Sequence, residues 1–354
     1  MILGMSKRGS SWIAGALFAT LFFPARSFSQ GQLVVRRFTA PSLKGNPAGE
    51  RADRRISIYL PPGYAHSGRA YPVLYYLHGY SFNDSTTVVW LNLVHLMDTA
   101  IAAGIIRPMI VVIPDNYTRY GGSWYTNSSF TGHWADYIAK DVVNYVDQHF
   151  RTLKSRDSRC VAGVSMGGNG ALRMGMLFPE TFGMVYSSSA AILNWSEGIN
   201  PSIPAFREIA RARTANDIEE GSRARIMADV ARTWSPDAHR APFYADMPST
   251  LIGDSLMIDT AVVRKWAANL PFYMINDHLA ALKSLRALKM DWGRNDENPF
   301  NPATNLEFSK KLEQLGVRHF AEAYLGGHAD QIPGTAGRFY TEVLPFCNTF
   351  LRFQ

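Results

Sequence analysis

Gly163-Val164-Ser165-Met166-Gly167 is the stretch of this chain best suited to covalent chemistry. Arg159-Cys160-Val161-Ala162 before it is a short apolar run that reads as a buried strand. Asn169 to Phe178 after it carries apolar residues at helical spacing and stops at Pro179. A serine at a strand-to-helix turn sits in strained, crowded backbone, so its flanks must be small, and glycines stand at both −2 and +2. The helix start behind it offers a free N–H and a positive dipole end to a developing oxyanion.

A serine nucleophile needs a base, the base needs an orienting acid, and the tetrahedral intermediate needs hydrogen-bond donors. The expected base is His328, which follows Leu325-Gly326-Gly327 in a loop where two glycines allow close approach to a catalytic centre. His319 at a strand start, His149 near a helix end and His66 in a turn are poorer placed. The acid is sought in Met290-Asp291-Trp292-Gly293-Arg294-Asn295-Asp296. Asp296, in the loop, is expected to reach a histidine. Asp291, still in the strand, is the rival and is assigned to capping loop N–H groups; Glu297 is a third, weaker choice. The order Ser…Asp…His is that of α/β-hydrolases. The second oxyanion donor is sought after Tyr75-Tyr76-Leu77, in His78-Gly79-Tyr80, which makes the backbone N–H groups of Tyr80 and Met166 the expected pair. His78 is read as a structural residue that holds this loop through its ring nitrogens.

These groups must be positioned by strand ends. Leu33–Phe38 and Arg55–Tyr59 alternate like antiparallel strands, whereas Pro72–Leu77 and Met109–Ile113 are continuous apolar runs of the kind buried on both faces. Helices are expected over 91–104 and, from Trp134, Ile138, Val142, Val146 and Phe150, over 134–150. Met184–Ser189, Leu288–Trp292 and His319–Tyr324 read as further strands, and Phe339–Phe353 as a closing helix. The alternation predicts an α/β fold with a mostly parallel sheet of about eight strands covered by helices. Residues 194–285 break the rhythm and are read as a helical, lid-like insertion within one domain spanning 30–354.

Residues 1–29 have the pattern of a secretory signal peptide. Lys7 and Arg8 precede an apolar stretch from Ile13 to Phe23, and Ser27-Phe28-Ser29 supplies a cleavage site. This predicts a secreted or periplasmic protein with no membrane span after cleavage. Lys7, Arg8 and Arg26 account for three of the seven net positive charges of the 354-residue chain, leaving +4. Arg207, Arg211, Arg213, Arg223 and Arg225 are read as a solvated face balanced by Asp217, Glu219 and Glu220, so no nucleic-acid partner is expected. Cys160 and Cys347 are expected as two buried thiols rather than a bridge. No Cys/His spacing fits a metal site, and no cofactor is implied.

The chain resembles the esterase D-like family of α/β-hydrolases. That family includes feruloyl esterases, S-formylglutathione hydrolases, enterochelin esterase-type enzymes and mycolyltransferases. The resemblance rests on Ile56-Ser57-Ile58-Tyr59-Leu60-Pro61-Pro62-Gly63-Tyr64, on Tyr71 to Gly79, on Arg159 to Gly168, on Gly293–Asp296 and on Gly327-His328. It implies Ser165, Asp296 and His328 as a triad with oxyanion donors at Tyr80 and Met166. The 194–285 insertion departs from compact members. The expected activity is serine ester hydrolysis through an acyl-enzyme, on a small-molecule or carbohydrate-linked ester. Tyr80, Tyr117, Tyr120, Trp124, Tyr125, Trp195 and Trp234 are expected near the site mouth and suit sugar or hydroxycinnamoyl groups. Acyl transfer from the same serine, siderophore trilactone hydrolysis and an inactive hydrolase fold used for binding are the alternatives.

Overall fold

Eight strands build the sheet that carries these loops: β1 (Gln32–Thr39), β2 (Asp53–Leu60), β3 (Val73–Leu77), β4 (Ile110–Pro114), β5 (Arg159–Val164), β6 (Met184–Ser188), β7 (Ala287–Gly293) and β8 (Phe320–Tyr324). The computed structural model describes Met1 and residues 30–354. The export segment expected over 1–29 thus lies, Met1 aside, outside the described residues. The strand order is β1-β2-β4-β3-β5-β6-β7-β8. β2 pairs antiparallel with β1 and β4, and the remaining neighbours are all parallel.

The continuous apolar runs are explained by helices on both faces. Every residue of β3, β4, β5 and β6 is buried. Successive side chains serve opposite layers: Tyr75, Leu77, Val112, Val161 and Val185 pack on one face, and Leu74, Tyr76, Val111, Cys160, Ala162 and Met184 on the other. Each fully buried Val or Leu among them contributes about 1.5–3 kcal/mol by the area it removes from water. Cys160 and Cys347 are both buried and unbridged. Burial, with Cys347 alongside, pushes the Cys160 thiol up.

The helix expected over 91–104 is two helices, α1 (Asp84–Leu91) and α2 (Leu93–Ala102). Asn92 divides them at φ 51°, a left-handed conformation that asparagine tolerates better than most residues. The helix expected over 134–150 begins at Trp134, but Tyr137–Val142 is π-helical before Val143–His149 resumes the α form. Apolar residues spaced strictly by four drift by about 40° per step around an α-helix, and a wider turn absorbs that drift.

After β5 comes α3 (Met166–Leu177). The insertion contains α4 (Arg223–Trp234) and several shorter helices, but also a hairpin, Ser249–Ile252 with Ser255–Ile258, closed by Gly253-Asp254. Gly253 has φ 58°, the backbone such a two-residue turn requires. Between β7 and β8 lies α5 (Phe300–Gln314), a helix that apolar spacing does not announce. Its buried face includes the polar residues Asn301, Thr304, Asn305 and Ser309, so hydrophobic periodicity is weak where the helix meets the site.

Candidate active site

Ser165 occupies the turn between β5 and α3 with φ 60° and ψ −118°, strained backbone for a side chain bearing Cβ. The strain is held from three directions. The Ser165 N–H donates to the Ser188 carbonyl (3.0 Å), and the Ser165 carbonyl accepts from Asn169 and Ala191 N–H groups (both 3.1 Å). The flanking glycines are steric necessities. A Cβ at Gly163 would lie 2.4 Å from the Gly167 carbonyl oxygen, and one at Gly167 would lie 2.0 Å from the Leu77 carbonyl oxygen.

The loop after β3 reaches the same point: a Cβ built on Gly79 would lie 3.6 Å from Ser165 Cβ. His78 is fully buried and sets this loop. Its Nε2 accepts from the Asn116 N–H (2.9 Å), so Nδ1 carries the proton and donates to the Gly79 carbonyl (2.9 Å). Burial pushes the His78 pKa down, keeping the ring neutral. The Tyr125 hydroxyl donates to the His78 carbonyl (2.8 Å), Ser81 N–H to the Gly121 carbonyl (2.9 Å), and the Tyr80 hydroxyl to the Tyr120 carbonyl. Neither the Tyr80 nor the Met166 N–H has a protein acceptor among the described residues.

The C-terminal ends of β7 and β8 bring in the remaining groups. His328 Nδ1 lies 2.6 Å from Asp296 Oδ2. Asp296 is held in turn: Oδ1 accepts from the Asn298 N–H (2.8 Å) and Oδ2 from Asn301 Nδ2 (3.1 Å). The two loops are tied by Arg294 N–H to the Tyr324 carbonyl and Asn295 N–H to the Gly326 carbonyl (both 2.9 Å). Glu297, the weaker choice as acid, instead accepts the backbone N–H of His328 (2.9 Å) and so fixes the loop rather than the ring. Asn301 was not singled out from the sequence, because it lies on the polar face of α5.

Asp291 does not reach a histidine, and it does not cap loop N–H groups. Its Oδ2 accepts the Tyr186 hydroxyl and Arg338 Nε, both at 2.6 Å, deep in the sheet. Despite Arg338, burial holds its carboxyl above the usual carboxylate range.

Ser165 and His328 line one cavity of about 260 Å³, whose wall includes Tyr80, Phe82 and Trp90. The insertion supplies none of its lining residues. Of the aromatic residues expected at the mouth, only Tyr80 is there. Trp124 and Tyr125 are buried, Trp124 packs edge-on against Trp234, and Trp195 stacks on Trp266. Phe82 and Trp90 take the place expected for them, packed edge to face at 5.6 Å. Among the described residues no group of three or more His, Cys, Asp or Glu side chains converges as a metal site, and no helix is long and apolar enough to cross a membrane.

A mostly parallel sheet in this order, with a strained serine after β5 and a His–Asp pair after β8 and β7, defines the α/β-hydrolase fold class. The family model described as "Putative esterase" matches residues 50–340, and the chain belongs to that family. An esterase of Mycobacterium tuberculosis strain H37Rv is 34% identical over 171 residues, covering 46% of this chain and 33% of the relative. An endo-1,4-beta-xylanase/feruloyl esterase of Xylanibacter ruminicola is 32% identical over 135 residues, 36% of this chain and 18% of the relative. The chain thus spans a third or less of the length of these curated relatives. Among solved structures, a ferulic acid esterase superposes with a TM-score of 0.63 at 21% identity, covering 92% of this chain and 100% of the other. An S-formylglutathione hydrolase from Agrobacterium tumefaciens gives 0.57 at 17% identity, over 91% and 96%. These structural likenesses speak for the fold.

Proposed function

We propose that this protein is an exported serine carboxylic ester hydrolase. Ser165 Oγ attacks the acyl carbonyl while His328 takes its proton, with Asp296 holding the imidazole through Nδ1. The alcohol leaves with the proton returned by His328, and water then clears the acyl-enzyme by the same route reversed. The backbone N–H groups of Tyr80 and Met166 receive the oxyanion, a contribution worth roughly 10²–10³ in rate per donor. The observation that carries this reading is the 2.6 Å His328–Asp296 pair opening onto the same cavity as the strained Ser165.

The largely apolar wall formed with Tyr80, Phe82 and Trp90 suits an aromatic or other apolar group of the ester. Hydroxycinnamoyl esters of carbohydrates fit that chemistry, and a feruloyl esterase among the relatives supports it. The test is hydrolysis of a panel of p-nitrophenyl and methyl hydroxycinnamate esters by the wild type and Ser165→Ala. Turnover lost in a folded Ser165→Ala protein is the expected result. Turnover retained by that variant refutes the nucleophile.

A further inference from the structure

A second cavity, of about 460 Å³, lies between the 119–130 segment and the insertion, and its chemistry differs from that beside Ser165. Its wall includes Arg119, Arg232, Tyr120, Phe130 and Tyr244. Arg225, expected on a solvated face, is buried at 7% exposure, and Arg232 is buried at 4%. Both guanidinium carbons stand 4.1 Å from the Tyr120 ring centroid. Arg232 Nη1 donates to the Phe243 carbonyl (3.1 Å). Its Nε and Nη2 have no protein acceptor among the described residues, although Arg232 lines the cavity. That edge of a guanidinium is the one that takes a carboxylate with two parallel hydrogen bonds.

Two carboxylates stand within electrostatic reach of Arg232. Glu50 receives the Arg119 N–H (3.2 Å) and Asp229 receives Trp124 Nε1 (3.2 Å), but neither makes an ion pair with Arg232 among the described residues. Four guanidinium groups, of Arg54, Arg119, Arg225 and Arg232, stand near these two buried carboxylates, and Arg54 is already paired with Asp115. The opposite wall is aromatic. Tyr244 stacks on Phe130 at 5.4 Å and is 39% exposed, which leaves its outer face free. Tyr244 is held at φ 54°, a strained backbone that fixes where the ring points.

We propose that this cavity binds a uronate, a sugar ring bearing a carboxylate, with Arg232 and Arg119 on the acid group and Tyr244 against the apolar face of the ring. The volume falls within the range of small-ligand sites, so a single pyranose fits. The site is tied to the loop beside Ser165 by the hydrogen bonds from the Tyr80 hydroxyl to the Tyr120 carbonyl and from the Ser81 N–H to the Gly121 carbonyl. The proposal rests on the carbohydrate-ester reading: the uronate belongs to the glycan that carries the scissile ester.

The full chain carrying Ser165→Ala is titrated with methyl β-D-glucuronoside and with methyl β-D-glucoside, followed by saturation-transfer NMR and calorimetry. The two probes differ only in carboxylate against hydroxymethyl. The glucuronoside is expected to saturate and the glucoside to bind about tenfold or more weakly, as for loss of a charge-assisted pair. Arg119→Gln and Tyr244→Ala, both at exposed residues, are each expected to weaken the glucuronoside about tenfold. The melting temperature should hold for Arg119→Gln and fall by only about 2–4 °C for Tyr244→Ala, which loses its stacking on Phe130. No binding, equal binding of the two probes, or affinity unmoved by both variants overturns the proposal. Because binding is read directly, absence of Ser165-dependent hydrolysis would defeat the esterase reading and leave this test intact.

Discussion

Replacing Gly167 with alanine adds one carbon where the fold leaves no room. The new Cβ would fall 2.0 Å from the Leu77 carbonyl oxygen, 2.6 Å from its carbon and 2.9 Å from the His78 carbonyl oxygen. Ordinary contact begins at 3.4 Å, so the start of α3 and the end of β3 must part by about 1.4 Å. Every atom met is backbone, and no change of rotamer relieves the clash. The displaced loop is the one that brings Gly79 beside Ser165 and that supplies the Tyr80 N–H in the proposed mechanism. A misplacement of about 1 Å costs on the order of 10² in rate, and overpacking costs about 1–3 kcal/mol. Turnover of p-nitrophenyl acetate by Gly167→Ala is therefore expected to fall about 10²-fold. Its melting temperature is expected to drop by roughly 2–4 °C per kcal/mol lost.

Gly175→Ala, on the same helix about two turns further on, is the control. There the Cβ meets the tip of a side chain, Val185 Cγ2 at 2.6 Å, with Leu285 Cδ1 at 3.4 Å. It is expected to cost about 1 kcal/mol of stability and leave kcat within about threefold. Steady-state kinetics and thermal melts on both variants decide the matter. Equal loss of kcat in the two, or a Gly167→Ala enzyme as active as wild type, refutes the claim that the close approach of β3 and α3 assembles the oxyanion site.

Two further outcomes are expected. Asp296→Asn should lower kcat by up to about 10⁴-fold with a modest change in melting temperature, because it upsets the tautomer and orientation of His328. Asp291→Asn should instead lower stability, since it weakens the buried partner of Arg338, and spare the rate; the reverse ranking by kinetics and melting would move the acid. Asp229 is buried, and that burial lifts its carboxyl well above the ordinary 3.8. A raised acid binds its proton more tightly when folded, so its contribution to stability is greatest at low pH and is lost as pH rises through the raised value. Asp229→Asn is expected to melt higher than wild type by a margin that widens with pH from about 4 upward; a margin that is constant or shrinks with pH counts against this.

The sequence was enough to locate most of the sheet, because strands buried on both faces must be written as unbroken apolar runs, and β3, β4 and β5 are. The strained turn at Ser165 was legible for a similar reason: only glycine fits at Gly163 and Gly167, so the crowding of that turn leaves its mark in the composition. His328 and Asp296 were legible as residues just past strand ends. The break at Asn92 and the π-helical stretch at Tyr137–Val142 were hidden, since both alter backbone geometry without altering the apolar spacing that predicts a helix. α5 was hidden because the face it buries is partly polar, with Asn301 turned toward Asp296 and His328.

What chain order could not decide is which polar and aromatic side chains meet. Asp291 and Asp296 are five residues apart in one segment, yet one lies in the sheet against Arg338 and the other at its rim against His328. Trp124 and Tyr125 looked like residues of the site mouth and proved to be core, whereas Phe82 and Trp90 form the wall beside Ser165. Arg225 looked solvated and is buried over Tyr120, a ring that Arg232 also meets. Local spacing reports the face a residue takes on its own element, and the sequence determined that much here. Which partner covers that face depends on contacts between residues remote in the chain, and only the tertiary structure sets those.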